Sequence, residues 1–185
     1  MKPWMKELLK TGLYLLIVLC VTFLIIEFVG QRTKVKGDSM NPTLSHGDNL
    51  IVDKITYRFS DPERFDIIVL EYKWKKDTYY IKRIIGLPGE TVYIDEDGKI
   101  FIKGVGEEEF ELLTESYGKE VIRAAGRASQ PVTLGEDEYF VLGDNRNDST
   151  DSRSASVGNV HIDQIVGRAW LRIWPFSKIG FMKHQ

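Results

Sequence analysis

A single cysteine, Cys20, and three scattered histidines in 185 residues close off several chemistries at once. No disulfide can form within the chain, and no cysteine-based metal site can be assembled. The histidines lack the spacing that places two metal ligands on one helix face, so no metal and no cofactor is expected. Charge of one sign is also missing. The 25 Lys and Arg nearly balance the 27 Asp and Glu, for a net charge of −2. The basic residues are dispersed rather than clustered, which gives no electrostatic reason to expect nucleic acid as a partner. The fold must therefore rest on burial alone. At 43% hydrophobic residues the chain has material for one such domain plus a short accessory region.

One long apolar run is present. Residues 13–29 read LYLLIVLCVTFLIIEFV, and with Thr11 and Gly12 they approach the ~20 residues that span a hydrocarbon core. A cleavable signal peptide would be shorter and would end in small residues, whereas Phe28-Val29-Gly30-Gln31-Arg32 offers no such pair. A buried core helix of this length would carry a polar face. The run is thus expected to be a transmembrane anchor over 11–30, with 1–10 preceding it. Lys2, Lys6 and Lys10 before the run match Arg32, Lys34 and Lys36 after it, so local charge leaves the orientation open.

Beyond residue 49 the pattern is β. Short runs of β-branched, aliphatic and aromatic residues are bounded by turn residues at 49–54, 66–72, 79–86, 91–95, 99–103, 138–142 and 164–174. Asp97-Gly98 marks a hairpin, and Leu87-Pro88-Gly89 ends a strand. The expected fold class is mainly β, an antiparallel barrel or sandwich over 31–185 behind one N-terminal transmembrane helix. Residues 104–130, rich in Glu, Gly, Lys and Ala, are expected to be a surface insertion with Glu107-Glu108-Glu109 solvated. Trp170, Trp174, Pro175 and Phe176 suit core packing, with contact to a membrane interface as the alternative.

Two residues suggest chemistry. Ser39 lies in Gly37-Asp38-Ser39-Met40-Asn41-Pro42-Thr43-Leu44, and Lys82 in Tyr79-Tyr80-Ile81-Lys82-Arg83-Ile84-Ile85-Gly86. A serine hydroxyl attacks only if a base takes its proton. A lysine serves if burial lowers its pKa by roughly three units, about 4 kcal/mol of destabilised charge. Strand alternation places Tyr80, Lys82 and Ile84 on one face, with Ile81, Arg83 and Ile85 opposite, leaving Arg83 to pair with a carboxylate. From residue types alone this pair competes with many others. The nucleophile elbow is excluded because Asn41, not glycine, follows two residues after Ser39. A Ser-His-Asp triad using His46 or His161 stays open.

The motifs taken together resemble the type I signal peptidases, serine/lysine peptidases, in their compact Gram-positive form. Residues 39–44 are similar to that family's nucleophile box, 80–89 to its general-base box, 143–153 to its third box and 66–70 to the intervening strand. They occur in family order and cover most of 35–170. The resemblance implies a membrane-anchored endopeptidase that removes signal peptides from secreted preproteins through an acyl-enzyme. Ser39 would be nucleophile and, through its backbone N–H, oxyanion donor; Lys82 would be general base. Ser149 would orient the Lys82 amine, while Arg83 with Asp144 and Asp151 with Arg153 would give structural support. A pocket for a small residue at substrate position −1 would involve Val35, Met40, Leu44 and Tyr80; one for −3 would involve Leu50, Val69 and Ile81. The substrate would add a strand between the segment before Ser39 and the strand before Lys82. The resemblance also implies a single-pass plasma-membrane protein in contact with lipid, its N-terminus cytoplasmic and its catalytic domain on the outer face. Gly37 stands where some members carry a serine hydroxyl as second oxyanion donor, and the acidic Asp38 beside the nucleophile has no explanation in the sequence. A self-cleaving repressor of related chemistry or an inactive binding module are the rival classes.

Overall fold

A computed structural model describes residues 2–24, 30–118 and 120–183. Helix α1 (Pro3–Leu24) comes first. Twelve strands follow among the described residues: β1 (Gly30–Lys34), β2 (Asn49–Asp53), β3 (Ile67–Glu71), β4 (Tyr79–Gly86), β5 (Thr91–Ile94), β6 (Ile100–Lys103), β7 (Glu111–Leu112), β8 (Val132–Thr133), β9 (Glu138–Leu142), β10 (Val160–His161), β11 (Ile165–Trp174) and β12 (Gly180–Phe181). The larger sheet has the order β1-β2-β11-β3-β4-β9-β10, with β12 against β11; the smaller is β7-β6-β5-β8. All the pairings are antiparallel.

Burial on both faces explains the unbroken apolar runs. In β9, Tyr139 and Val141 pack with Ile68, Leu70 and Ile84, while Phe140 and Leu142 pack with Ile85 of β4 and with Val92, Ile94, Ile100 and Ile102 of the second sheet. A strand sandwiched this way has no solvent face and shows no polar alternation. A third cluster, Val35, Met40, Leu44, Leu50, Ile67, Ala169 and Met182, supports the segment that carries Ser39.

Three expectations need correction, and a fourth, the anchor, is only partly covered by the described residues. The barrel is not closed: β1 and β10 end the larger sheet without meeting. Among the described residues no helix is long and apolar enough to cross a membrane. Helix α1 begins well before the expected 11–30 anchor and takes in Lys6, Glu7 and Lys10. Residues 11–24 of the expected anchor lie in this helix, and residues 25–29 lie outside the described residues. The C-terminal aromatics do not form core. Trp170, Trp174 and Phe176 are 42%, 47% and 73% exposed, because inward-facing Ala169 turns its neighbour Trp170 to the outer face of β11. Segment 104–130 exposes its acidic run as expected, yet it also sends Ile122 and Ala128 into the core. The hairpin at Asp97-Gly98 is present with a longer loop, in which Asp95 accepts from the Lys99 N–H (2.8 Å) and Gly98 has φ +75°.

Gly167 lies at the irregularity where β11 passes β3. A Cβ there would press on the carbonyl carbon and oxygen of Asp53, main-chain atoms that cannot swing aside. Gly167→Ala is expected to destabilise by about 2–3 kcal/mol, whereas Gly180→Ala, where a Cβ meets nothing within 4 Å, should change stability by less than about 0.5 kcal/mol. Urea unfolding midpoints of the two variants test the contrast.

Candidate active site

Ser39 sits in a tight turn built by its neighbours. The Asp38 carbonyl accepts the Asn41 N–H (3.0 Å), and Met40 accepts the Leu44 N–H (2.8 Å). Met40 and Leu44 are buried and pin the turn to the core. The Asp38 carboxylate accepts from Asn41 Nδ2 at 3.1 Å, which supplies the role that the sequence left unexplained: it braces the turn. Gly37 has φ +90° and donates its N–H to His46 Nδ1 at 3.1 Å.

Strand β4 brings Lys82 to this turn. The side chain is buried, with Nζ 2.8 Å from Ser39 Oγ and 3.0 Å from the Ile81 carbonyl oxygen. Nζ also lies 5.3 Å from the Tyr80 ring centroid. Burial pushes the amine down to about 8, against the smaller opposing pull of Asp151 and Asp144. A substantial neutral fraction at mildly alkaline pH can therefore accept the hydroxyl proton.

The segment after β9 closes the site from a third side. Asn145 donates its N–H to the Ser39 carbonyl (3.1 Å) and its Nδ2 to the Asp38 carbonyl (3.2 Å). Gly143 must be glycine, since a Cβ would collide with the Ser39 carbonyl and the Ser149 side chain. Its N–H donates to Asp151 Oδ2 at 3.1 Å. Asp151 in turn accepts Arg153 Nε and NH2, both at 2.8 Å. Asp144 accepts Arg83 Nε at 2.8 Å and NH2 at 2.7 Å, and also the Thr43 hydroxyl at 2.5 Å. Both pairs are charge-assisted forks almost wholly removed from water.

One expected contact is absent. Ser149 Oγ is buried beside Gly143 but makes no hydrogen bond among the described residues. The Lys82 amine is directed at the Ile81 carbonyl and Ser39 instead. The histidine alternative does not assemble either. His46 Nδ1 is taken by Gly37, and His161 Nδ1 accepts the Asp163 N–H at 3.3 Å. Among the described residues no group of His, Cys, Asp or Glu could hold a metal ion.

A cleft of about 480 Å³ leads to the Ser39–Lys82 pair. Residues 33–37 form one wall and 77–82 the other, with Met40 at the floor. Of the expected pocket residues, Val35, Met40, Tyr80 and Ile81 line it. Leu44, Leu50 and Val69 do not; they are buried behind it, because adjacent strands leave no opening there. Sequence reasoning missed Thr43, Asn145 and Gly143, although all three lay inside the quoted motifs. It also missed Tyr117, whose ring stacks 3.6 Å from the Arg83 guanidinium.

The chain has clear relatives among known proteins. The profile of the family described as signal peptidase, peptidase S26, matches residues 6–174. The chain is similar to signal peptidase I P of Bacillus subtilis subsp. natto, with 36% identity over 91% of this chain and 90% of the relative. It is similar to signal peptidase I of Bacillus caldolyticus, with 38% identity over 89% and 91%. The probable signal peptidase I-2 of Synechocystis sp. is 38% identical over 84% of this chain and 68% of the relative. A crystal structure of a signal peptidase I from Enterococcus faecalis V583 covers 59% of this chain and 97% of its own, at 35% identity and a TM-score of 0.46. With the match running from α1 through β11, the chain belongs to the signal peptidase, peptidase S26, family.

Proposed function

We propose that the chain is a membrane-anchored serine endopeptidase that removes signal peptides from secreted preproteins, with Ser39 as nucleophile and Lys82 as general base. The observation that carries this reading is the 2.8 Å approach of a buried amine to a serine hydroxyl at the end of a cleft. Neutral Lys82 takes the proton as Ser39 Oγ bonds to the scissile carbonyl carbon. The Ser39 N–H has no acceptor in the described fold, so it is available to the oxyanion. The protonated lysine then gives its proton to the departing amine. In the second half Lys82 takes a proton from water, whose oxygen displaces Ser39 from the acyl group and releases the signal peptide, and Lys82 returns the proton to Ser39 Oγ.

The cleft walls support binding of the substrate as an extended strand. Residues 79–82 of β4 pair with β3 alone, since pairing with β9 begins at Arg83. Strand β1 pairs with β2 alone. Both walls thus offer open backbone edges. The inward wall is already filled by Val35, Met40 and Ile81, which favours small residues at −1 and −3. Anchoring is supported by helix α1, whose described apolar side chains are exposed all round, by the apolar sequence continuing to Val29, and by the exposed Trp170, Trp174 and Phe176 surface, a composition suited to a membrane interface. On this reading lipid lies beside the catalytic domain, and a signal peptidase role calls for that domain on the outer face with the N-terminus cytoplasmic.

Ser39→Ala and Lys82→Ala should each lower kcat by about 10³-fold or more while the circular dichroism spectrum is kept; a preprotein cleavage assay with the purified chain in detergent checks both. For the wild type, kcat/KM should rise with pH and level off above about 8 as Lys82 loses its proton. A profile flat from pH 6 to 9 would remove Lys82 as base. Stability carries the same signature. Between about 8 and the ordinary lysine value of 10.5 the unfolded chain holds a proton that the folded chain does not, so stability rises with pH across that window. Below it the buried charge costs about 3 kcal/mol. Lys82→Met should therefore be more stable than wild type at pH 6 by roughly that amount, with the gap closing towards pH 10.5, as read from urea midpoints.

A further inference from the structure

Side chains along the first cleft wall alternate. Val35 turns inward, 3% exposed, against Met40, Leu44 and Leu50. Lys34 and Lys36, on either side of it, are exposed and line the cleft rim. Val35 directs its N–H to the Asp48 carbonyl (2.8 Å) and its carbonyl to the Gly47 N–H (3.0 Å). The backbone groups of Lys34 and Lys36 consequently point the other way, into the cleft. Arg32, the next cation on this face, is committed to Asn49 Oδ1 through Nε (3.2 Å) and NH2 (2.9 Å). Lys34 and Lys36 have no side-chain partner among the described residues. The opposite wall brings one carboxylate, Asp77, five positions before Lys82.

A peptide lying extended in this cleft also alternates. With its scissile carbonyl over Ser39, residues −1 and −3 turn in towards Val35 and Met40. Residues −2 and −4 turn out, onto the face of Lys34 and Lys36. We infer that Lys34 and Lys36 make the outward substrate positions charge-selective, favouring acidic residues at −2 and −4 and disfavouring basic ones. This rests on the peptidase reading above and names a feature of its substrates. Facing charges on adjacent strands attract or repel modestly, so the effect is a bias rather than a gate.

The test uses the full-length chain in detergent at low salt with three peptides that differ only at −2, carrying Glu, Ala or Lys. Wild type should show kcat/KM in the order Glu, Ala, Lys, with a Glu-to-Lys ratio of about 5 to 10. The ratio should shrink towards one in 1 M salt, where the Debye length is ~3 Å. Lys36→Glu should invert the order, and Lys36→Gln should flatten it. Equal cleavage of all three peptides by wild type overturns this inference and leaves the peptidase reading standing. Failure to cleave even the alanine peptide overturns both. An unchanged ratio in Lys36→Glu, with weaker binding to phosphatidylglycerol vesicles, assigns the lysines to lipid and also overturns it.

Discussion

The site is organised around keeping an amine out of water. A lysine ammonium inside a protein loses hydration worth several kcal/mol, and it relieves that cost by giving up its proton unless a free carboxylate holds the charge in place. Lys82 has two carboxylates near enough to act on it, Asp144 and Asp151. Each is bound in a two-pronged pair with its own arginine, Arg83 and Arg153. Their negative charge is largely spent before it reaches the amine, and burial remains the dominant influence.

The same pairs hold the geometry. Asp144 binds Arg83, the residue after Lys82, and at the same time the Thr43 hydroxyl, four residues after Ser39. The strand that carries Lys82 and the turn that carries Ser39 are thereby joined through one carboxylate. Asn145 fixes the Ser39 carbonyl from the other side, a contact that requires the bare backbone of Gly143 next to it. Tyr117 covers Arg83, and Glu115 pairs with Arg146 at 2.5 Å. Segment 104–130 therefore seals the back of the site.

What the sequence made legible follows from how strongly each element signals itself. Strands β3 and β9 and the second half of β4 are buried on both faces, and their apolar runs could be read within a residue or two. Strand β1 was missed because Gly-Gln-Arg-Thr-Lys is polar, as an edge strand can be. Strands β7, β8, β10 and β12 have two residues each and exist through their partners rather than their own preference. Ser39 and Lys82 stood out through motif order, not residue type. Leu44, Leu50 and Val69 were placed in a pocket because an aliphatic residue does not announce whether it faces a groove or a core. Tyr117 gave no signal, lying in a segment without periodicity. Ser149 was inferred to contact Lys82, yet the amine finds a carbonyl one residue away.

The bare strand edges that wall the cleft carry a further meaning. Amide and carbonyl groups are common to all polypeptides, so a groove that grips them is indifferent to most of what distinguishes one client from another. Discrimination is left to the few side-chain positions nearest the cut, by fit where they turn inward and by a mild charge bias where they turn outward. Such a receptor can serve a large and varied clientele with one constant alignment, and the identity of a client matters only where it is cut.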